Sequence, residues 1–304
     1  MNWQYQFEIW KERFLVPLDD PGSRLFHFNI LVSVLLIFIW WFHSNKSLKG
    51  LNFKKLFFRG KYWWNRSTKT DYKIYFANSL LKVFLFIPFL DFSFHVSKFV
   101  SGFLIEISGD FVGLQVNTFS LFLFTIFSFM WDDFLRFFNH WCMHQSSFLW
   151  KIHSTHHSAR ILTPVSLFRN HPLESAIATI RNSLSLGVST GIFVYLFEAR
   201  LSLLTLFGVN FFGFLFNLLG ANLRHSHIPL SFPMWLEKIF ISPAQHQIHH
   251  SLSVSHHNKN YGVSLALWDL LLSSSWMPSV KGQKLKFGIL GRRPKNFWQE
   301  FTGL

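Results

Sequence analysis

Uncharged apolar runs separated by short charged or polar segments set the pattern of this chain. Runs at 25–42, 75–92, 119–138, 176–197 and 201–221 are long enough to cross all or most of a bilayer as helices, which takes about 20 residues. Only Glu198, Ala199 and Arg200 separate the last two, so a tight helical hairpin is predicted there. The stretch 95–107 is short and amphipathic, the pattern of a helix lying in the interface. Lys82 and Arg181 sit inside apolar runs and Pro88 interrupts the second; charged groups so placed must snorkel, face a cavity or find a partner. The expected fold is all-α: a multi-pass transmembrane helical bundle of four to five spans with a histidine-rich helical cap. No repeat or linker divides the chain. Residues 1–118 read as an N-terminal membrane region with two spans, a basic loop and the interfacial helix; 119–280 carry the histidine segments; 281–304 form a basic tail.

Composition supports a membrane solvent. Of 304 residues, 50% are hydrophobic, 19% aromatic and only 14% charged, against about a quarter charged in soluble domains. The net charge of +14 is gathered beside apolar runs. Lys46, Lys49, Lys54, Lys55, Arg59, Lys61, Arg66 and Lys69 fill one loop, and Lys281, Lys284, Lys286, Arg292, Arg293 and Lys295 mark the tail. That is the positive-inside distribution, and it assigns the loop to the cytoplasm. Counting spans from there brings both histidine-rich segments, and the C-terminus, to the same cytoplasmic side. A nucleic-acid partner is not expected, because the basic residues show no interleaving with aromatics. Cys142 is the single cysteine, which excludes a disulfide framework or thiolate cluster and leaves nitrogen and oxygen as metal ligands. The N-terminal stretch contains acidic residues and lacks the basic-then-apolar layout of a cleavable signal.

The candidate chemistry lies in the histidines. Thirteen of sixteen fall between His140 and His257. His140 and His144 stand in HWCMH, His153, His156 and His157 in HSTHH, and His246, His249 and His250 in HQIHH. On a helix, positions three and four apart share a face, so each segment can present two or three imidazoles to one point. Imidazole suits iron, zinc, copper or nickel. Eight rings exceed the need of one ion and would serve two neighbouring metals with four or five nitrogens each. His225, just after the fifth run, is the best further ligand; His171, His227, His256 and His257 could complete a coordination sphere, orient a ligand or be solvated. Metal-bound imidazoles usually pass their second ring proton to a carboxylate or carbonyl. Asp132, Asp133, Glu174 and Asp269 are the acids near the segments, and Asp133, Asp269, His171 and His227 are the residues expected to support the ligands. A zinc hydrolase would need about three ligands and a general base, and no HExxH occurs. A transporter would hold its ligands near mid-membrane, whereas these segments lie at or between run ends.

The segments HWCMH, HSTHH and HQIHH, with RNHPLE at 169–174, LRHSH at 223–227, NYG at 260–262, Trp268–Asp269 and an aspartate before the first segment, resemble the fatty acid hydroxylase and sterol desaturase superfamily. The resemblance covers about 119–276. It implies a non-haem di-iron centre, in which zinc could substitute in purified protein, that uses O2 to hydroxylate or desaturate an unactivated carbon of a lipid. It further implies that the eight segment histidines are ligands, with His225 the ninth. The lipid could be a sterol, fatty acyl chain, sphingoid base, ether lipid or carotenoid, and hydroxylation is favoured on family breadth. One departure is visible: LLLSSSW follows Asp269, where the family commonly has an aromatic-Gly-Thr turn. With no GxGxxG fingerprint and no appended haem domain in the sequence, electrons are expected from an external reductase, ferredoxin or cytochrome.

Overall fold

The computed structural model describes residues 23, 26–44, 60–198, 205–206, 209–280, 285–292 and 295–303. Helix α1 is His27–Ser44. Helix α2, Arg66–Ser108, is unbroken over 43 residues, about 65 Å at 1.5 Å per residue. Its start is fixed by Asn65, whose side chain accepts from Thr68 N, and its end by Gly109 at φ 88°. Helix α3 is Thr118–Gln145, opened by a capping box between Asn117 and Ser120. Helix α4, Ser147–His157, follows after a one-residue break at Ser146, and α5 is Pro172–Phe197. A two-residue antiparallel ladder, β1 (Thr205–Leu206) with β2 (Val209–Asn210), precedes α6, Phe211–Leu218. The remainder of the described residues is turns, 3-10 segments, a π-helical turn and four short helices: Gly60–Trp63, Met234–Glu237, α7 (Pro243–His249) and α8 (Phe297–Thr302).

Two expectations are corrected. The stretch 95–107 is not a separate interfacial helix but the last third of α2. Nothing between 92 and 95 breaks a helix, and His95 pairs across one turn with Asp91 at 3.4 Å, so amphipathicity marks a change of surroundings along one rod. The run 201–221 is not a crossing helix. Thr205 pairs with Asn210, Asn210 then caps α6 by accepting from Phe212 N and Gly213 N, and α6 has 8 residues, about 12 Å of rise. Gly220 at φ 83° sets the turn that follows. The predicted hairpin of two spans is therefore one long helix, α5, ended by Glu198 in the left-handed region, and a short returning helix. Among the described residues, α3 is the helix both long and apolar enough to cross a membrane; the apolar part of α1 runs His27–Ile39. Of the basic loop and tail, Lys46, Lys49, Lys54, Lys55, Arg59, Lys281, Lys284 and Arg293 lie outside the described residues, as does the N-terminal stretch.

The frame that carries the histidines is α2, α3 and α5. Helices α2 and α5 run parallel at very close range: a Cβ on Gly187 would come within 2.6 Å of Val96 Cβ, and one on Gly191 within 2.7 Å of Ser97 O. The four-residue spacing of these glycines is the small-residue pattern that lets helix backbones approach. Helix α3 packs on α5 through Phe124, Phe193 and Phe197. Leu36 and Ile37 of α1 close over Leu223 and Ile228, next to His225. Gly191→Leu is expected to force α2 from α5 and cost about 3 kcal/mol, the upper part of the overpacking range. Gly102→Leu, where a Cβ meets nothing within 4 Å, is the matched control. Thermal unfolding of both variants in mild detergent checks this, and equal midpoints would show the contact to be slack.

Candidate metal centre

The histidines reach one place because helix ends do. Ser146 ends α3, its backbone N–H bonded to Cys142 O, and begins α4, its hydroxyl accepting from Leu149 N. The chain therefore folds back, and His140 and His144 at the end of α3 face His153 and His157 of α4. Helix α7 is started by Pro243 and a capping box between Ser242 and Gln245, and the 3-10 turn Ala221–His225 delivers His225.

Nine imidazoles converge in two adjoining groups. His140, His144, His153, His157 and His249 form one, and His156, His225, His246 and His250 the other; within each group the candidate ligand nitrogens lie within 4.8 Å of one another. Neighbours in sequence are split between them. His156 and His157 part company, as do His249 and His250, because successive helical residues point about 100° apart. His157 stacks on His250 with ring centroids 4.4 Å apart, so the groups sit side by side.

The donor set fits metal ions. His153 Nε2 lies 3.1 Å from His157 Nε2, and His246 Nε2 lies 3.0 Å from His225 Nε2 and 3.2 Å from His250 Nε2. A metal–nitrogen distance of about 2.1 Å puts neighbouring ligands about 3.0 Å apart at a right angle and about 3.4 Å apart in a tetrahedron. Outer partners turn the rings inward. His140 Nδ1 donates to Tyr261 O and His249 Nδ1 to Lys259 O, both at 2.7 Å. His153 Nδ1 donates to Glu174 Oε1 at 2.9 Å. His225 Nδ1 meets Ser166 Oγ at 3.0 Å, and Ser166 itself donates to Thr163 O. Each such bond leaves Nε2 as a bare lone pair, and Nε2 of His140, His144 and His249 is buried with no hydrogen-bond partner among the described residues. Burial, then the neighbouring imidazoles, hold His156, His157, His246 and His250 well below the ordinary histidine value, and burial takes His249 to about 3. All five are thus neutral, the form that ligates.

Asp133 and Asp269 act on a loop and not on the rings. Asp133 in α3 accepts from Ser264 N, Leu265 N and Trp268 Nε1 at 2.8, 2.9 and 3.0 Å. Asp269 accepts from Tyr261 N and Gly262 N, both at 2.7 Å. Together they fix the segment whose carbonyls orient His140 and His249. Gly262 is required there, since a Cβ would come within 2.5 Å of Leu265 O and 2.7 Å of Asp269 Oδ2. The LLLSSSW departure forms a π-helical turn, Asp269–Ser273, closed by Ser274 at φ 51°; Leu271 and Leu272 point outward, and Ser275 donates to Asp269. His171 caps α5, accepting from Leu173 N at 3.2 Å. His227 is exposed and lies edge-on to Tyr62, centroids 4.4 Å apart. Neither they nor His256 and His257 belong to either group.

A buried charge network beneath the second histidine segment has no forecast in the sequence. Arg169 Nη1 donates to Asp71 Oδ1 at 2.7 Å, Nε donates to Thr155 O and Ser158 Oγ, and Nη2 lies 3.4 Å from Glu300 Oε1. Glu300 Oε2 accepts from Arg292 and Ser158, both at 3.0 Å. Arg169 lies in the RNHPLE motif, but its charged partners, Asp71 and Glu300, come from α2 and α8, far away in the chain.

Residues 125–274 match the family model described as fatty acid hydroxylase, and all nine converging histidines fall inside that stretch. The chain is similar to the ornithine lipid hydroxylase OlsE of Rhizobium tropici, 28% identical over 159 residues, which is 52% of this chain and 43% of that protein. It thus spans less than half the length of that relative. No solved structure matches the chain.

Proposed function

Residues 125–274 belong to the fatty acid hydroxylase and sterol desaturase superfamily, and from that premise we propose that this protein is a membrane-bound lipid hydroxylase whose nine imidazoles hold two iron ions. The carrying observation is the division of the rings into adjoining groups of five and four, with the nitrogens of each converging. His140, His144, His153, His157 and His249 would hold one ion and His156, His225, His246 and His250 the other. When bound, the metals supply the activation of O2 that side chains cannot.

The protein's own contribution is position. Tyr261 O, Lys259 O, Glu174 and Ser166 keep Nδ1 protons on the outer side of four rings, and the carboxylates of Asp133 and Asp269 keep the Tyr261 loop from moving. The groups sit at the C-terminal end of α3, so an apolar substrate lying along that helix can bring a carbon to the imidazoles without leaving lipid. We read α1, α2, α3 and α5 as the membrane bundle, with the histidine cap on the cytoplasmic side beside the basic segments. Electrons enter from a separate reductase, ferredoxin or cytochrome. Hydroxylation is the primary reaction; desaturation starts from the same C–H bond.

The test uses full-length protein in mild detergent and lipid extracts from cells with and without it. About two irons per chain are expected, the number two metal groups require. Mass spectrometry should find lipids that gain one oxygen, or lose two hydrogens, only when the wild-type protein is present, and His153→Ala should erase them. One zinc per chain and no oxidised lipid would instead indicate a hydrolase.

A further inference from the structure

The segment LLLSSSW is packed inside out for a loop in water. In the π-helical turn Asp269–Ser273 the leucines face outward, with Leu271 72% and Leu272 59% exposed and Leu270 beside them at 38%. The hydroxyls face inward: Ser275 Oγ donates to Asp269 Oδ1, and Ser273 Oγ pairs with Ser275 Oγ. Asp269 is fully buried, and Ser274, which closes the turn, is its exposed polar residue. The backbone is satisfied from within as well, Leu270 N donating to Ala266 O and Ser275 N to Asp269 O. Apolar groups outward with polar groups paired internally is the arrangement that hydrocarbon requires and water does not.

The depth of the turn follows from its anchor. Trp268, the residue before it, packs edge-on against Phe134 of α3 with ring centroids 5.4 Å apart and donates Nε1–H to Asp133 at 3.0 Å. From Thr118 to Phe134 the helix rises about 24 Å at 1.5 Å per residue, short of the hydrocarbon thickness of about 30 Å. Phe134 shares a stripe of α3 with Phe127, Met130 and Phe138, all three exposed, and its ring stacks on Phe138. The Asp132–Arg136 ion pair is on the other side of the helix, each member two residues from Phe134 and so about 160° round the axis. The short helix Met234–Glu237 continues the apolar surface. Glu237 O accepts from Trp276 Nε1 at 2.9 Å and Ile239 O from Ala266 N at 2.8 Å, which ties it to both ends of the turn. Met234, Trp235 and Ile239 are exposed, and so is Lys238, a tryptophan and lysine pairing suited to the headgroup boundary.

We propose that the turn Asp269–Ser273, with Met234 and Trp235 beside it, is a re-entrant lipid seat, in which Leu271 and Leu272 insert among the acyl chains of the leaflet on the histidine side. This rests on the reading of α3 as a membrane span. The occupant is hydrocarbon and not a protein partner, because Trp268 and Phe134 join the turn to the exposed apolar stripe of α3 at the same depth. Asp269, at the start of the seat, also holds Tyr261 N and Gly262 N, and Tyr261 O orients His140. The seat therefore pins the histidine loop at the level of the lipid chains and not above them.

Site-directed fluorescence on the full-length protein in phosphatidylcholine nanodiscs tests it. Leu271→Cys, Phe127→Cys on the α3 stripe and Lys151→Cys, exposed on α4, are labelled with a nitrobenzoxadiazole dye. Wild-type protein labelled at the half-buried Cys142 supplies the background, and unchanged thermal midpoints show that each variant is folded. The dye at position 271 should emit to the blue of the dye at 151 and be quenched by nitroxide-bearing acyl chains as the dye at 127 is. Aqueous iodide should quench it about tenfold less than at 151, since hydrocarbon excludes ions. Iodide quenching at 271 equal to that at 151, with 127 in lipid, overturns the seat and leaves the span standing. Protection of 271 from both quenchers also overturns it and indicates cover by protein. Iodide access at 127 and 271 alike would overturn the reading of α3 as a span together with the seat.

Discussion

His246→Ala is expected to leave a folded protein with about half its metal and less than about a hundredth of its lipid-oxidising activity. His246 belongs to the group with only four nitrogens and lies within 3.2 Å of two of the others. Without it three nitrogens remain there, while the five of the neighbouring group are untouched. Loss of an outer partner of a ligand costs about 10- to 100-fold in metal affinity or activity, and loss of the ligand itself should exceed that. The alanine leaves a small apolar void in a site lined by imidazoles, so the fold should survive better than the metal. Metal analysis alongside product analysis checks both halves of the expectation. His227→Ala removes an exposed ring outside both groups and should keep both ions. If His246→Ala retained two ions and full activity, the assignment of ligands to the second group would be wrong.

The histidine segments were legible in the sequence because their information is local. Positions four apart share a helical face whatever the helix packs against, so His140 with His144, His153 with His157, and His246 with His250 could be paired before any fold was known. Their division into five and four was not legible, since it depends on the angle between α3 and α4 and on where α7 meets them. Asp133 and Asp269 were picked out for proximity to the histidines. Their work is one step further out, on the backbone of Tyr261, Gly262, Ser264 and Leu265, and that loop geometry has no sequence signal beyond the NYG motif.

The helices show a similar division. Hydropathy located α1 and α5 to within four residues, and α3 at its start, though that helix runs seven residues past the apolar stretch; it cannot tell a continuous rod from two helices, so α2 was divided where its surface pattern changes. It also cannot tell a span from an apolar segment that turns. The run 201–221 has the hydropathy of a crossing, yet Asn210 as a cap and Gly220 at positive φ leave room for only the short α6 among its described residues. Arg181 illustrates the converse. The sequence required some compensation for that charge, and only the packing of α5 on α3 brings the charges of Arg136, Asp132 and Asp133 within electrostatic range of it.

Arg169→Ala is expected to destabilise the protein by about 3–5 kcal/mol, the range for removing one member of a buried ion pair. Arg169 is 3% exposed and Asp71 is fully buried, and Asp71 Oδ2 already has no hydrogen-bond partner among the described residues. Two guanidiniums, from Arg169 and Arg292, balance two carboxylates, from Asp71 and Glu300. Deleting Arg169 leaves Asp71 as an unpaired buried charge and leaves Glu300 with Arg292 alone. The same change frees Thr155 O and Ser158 Oγ, so the strain falls on α4, which carries His153, His156 and His157. Arg169→Lys should rescue little, because one ammonium cannot reach α2, α4 and α8 at once as a planar guanidinium does. In thermal unfolding the midpoint should fall by on the order of 10 °C, with metal lost in the same transition. A fall of under about 2 °C, which is less than 1 kcal/mol for a chain of this size, would mean that the network contributes little and that α8 is held by its apolar contacts.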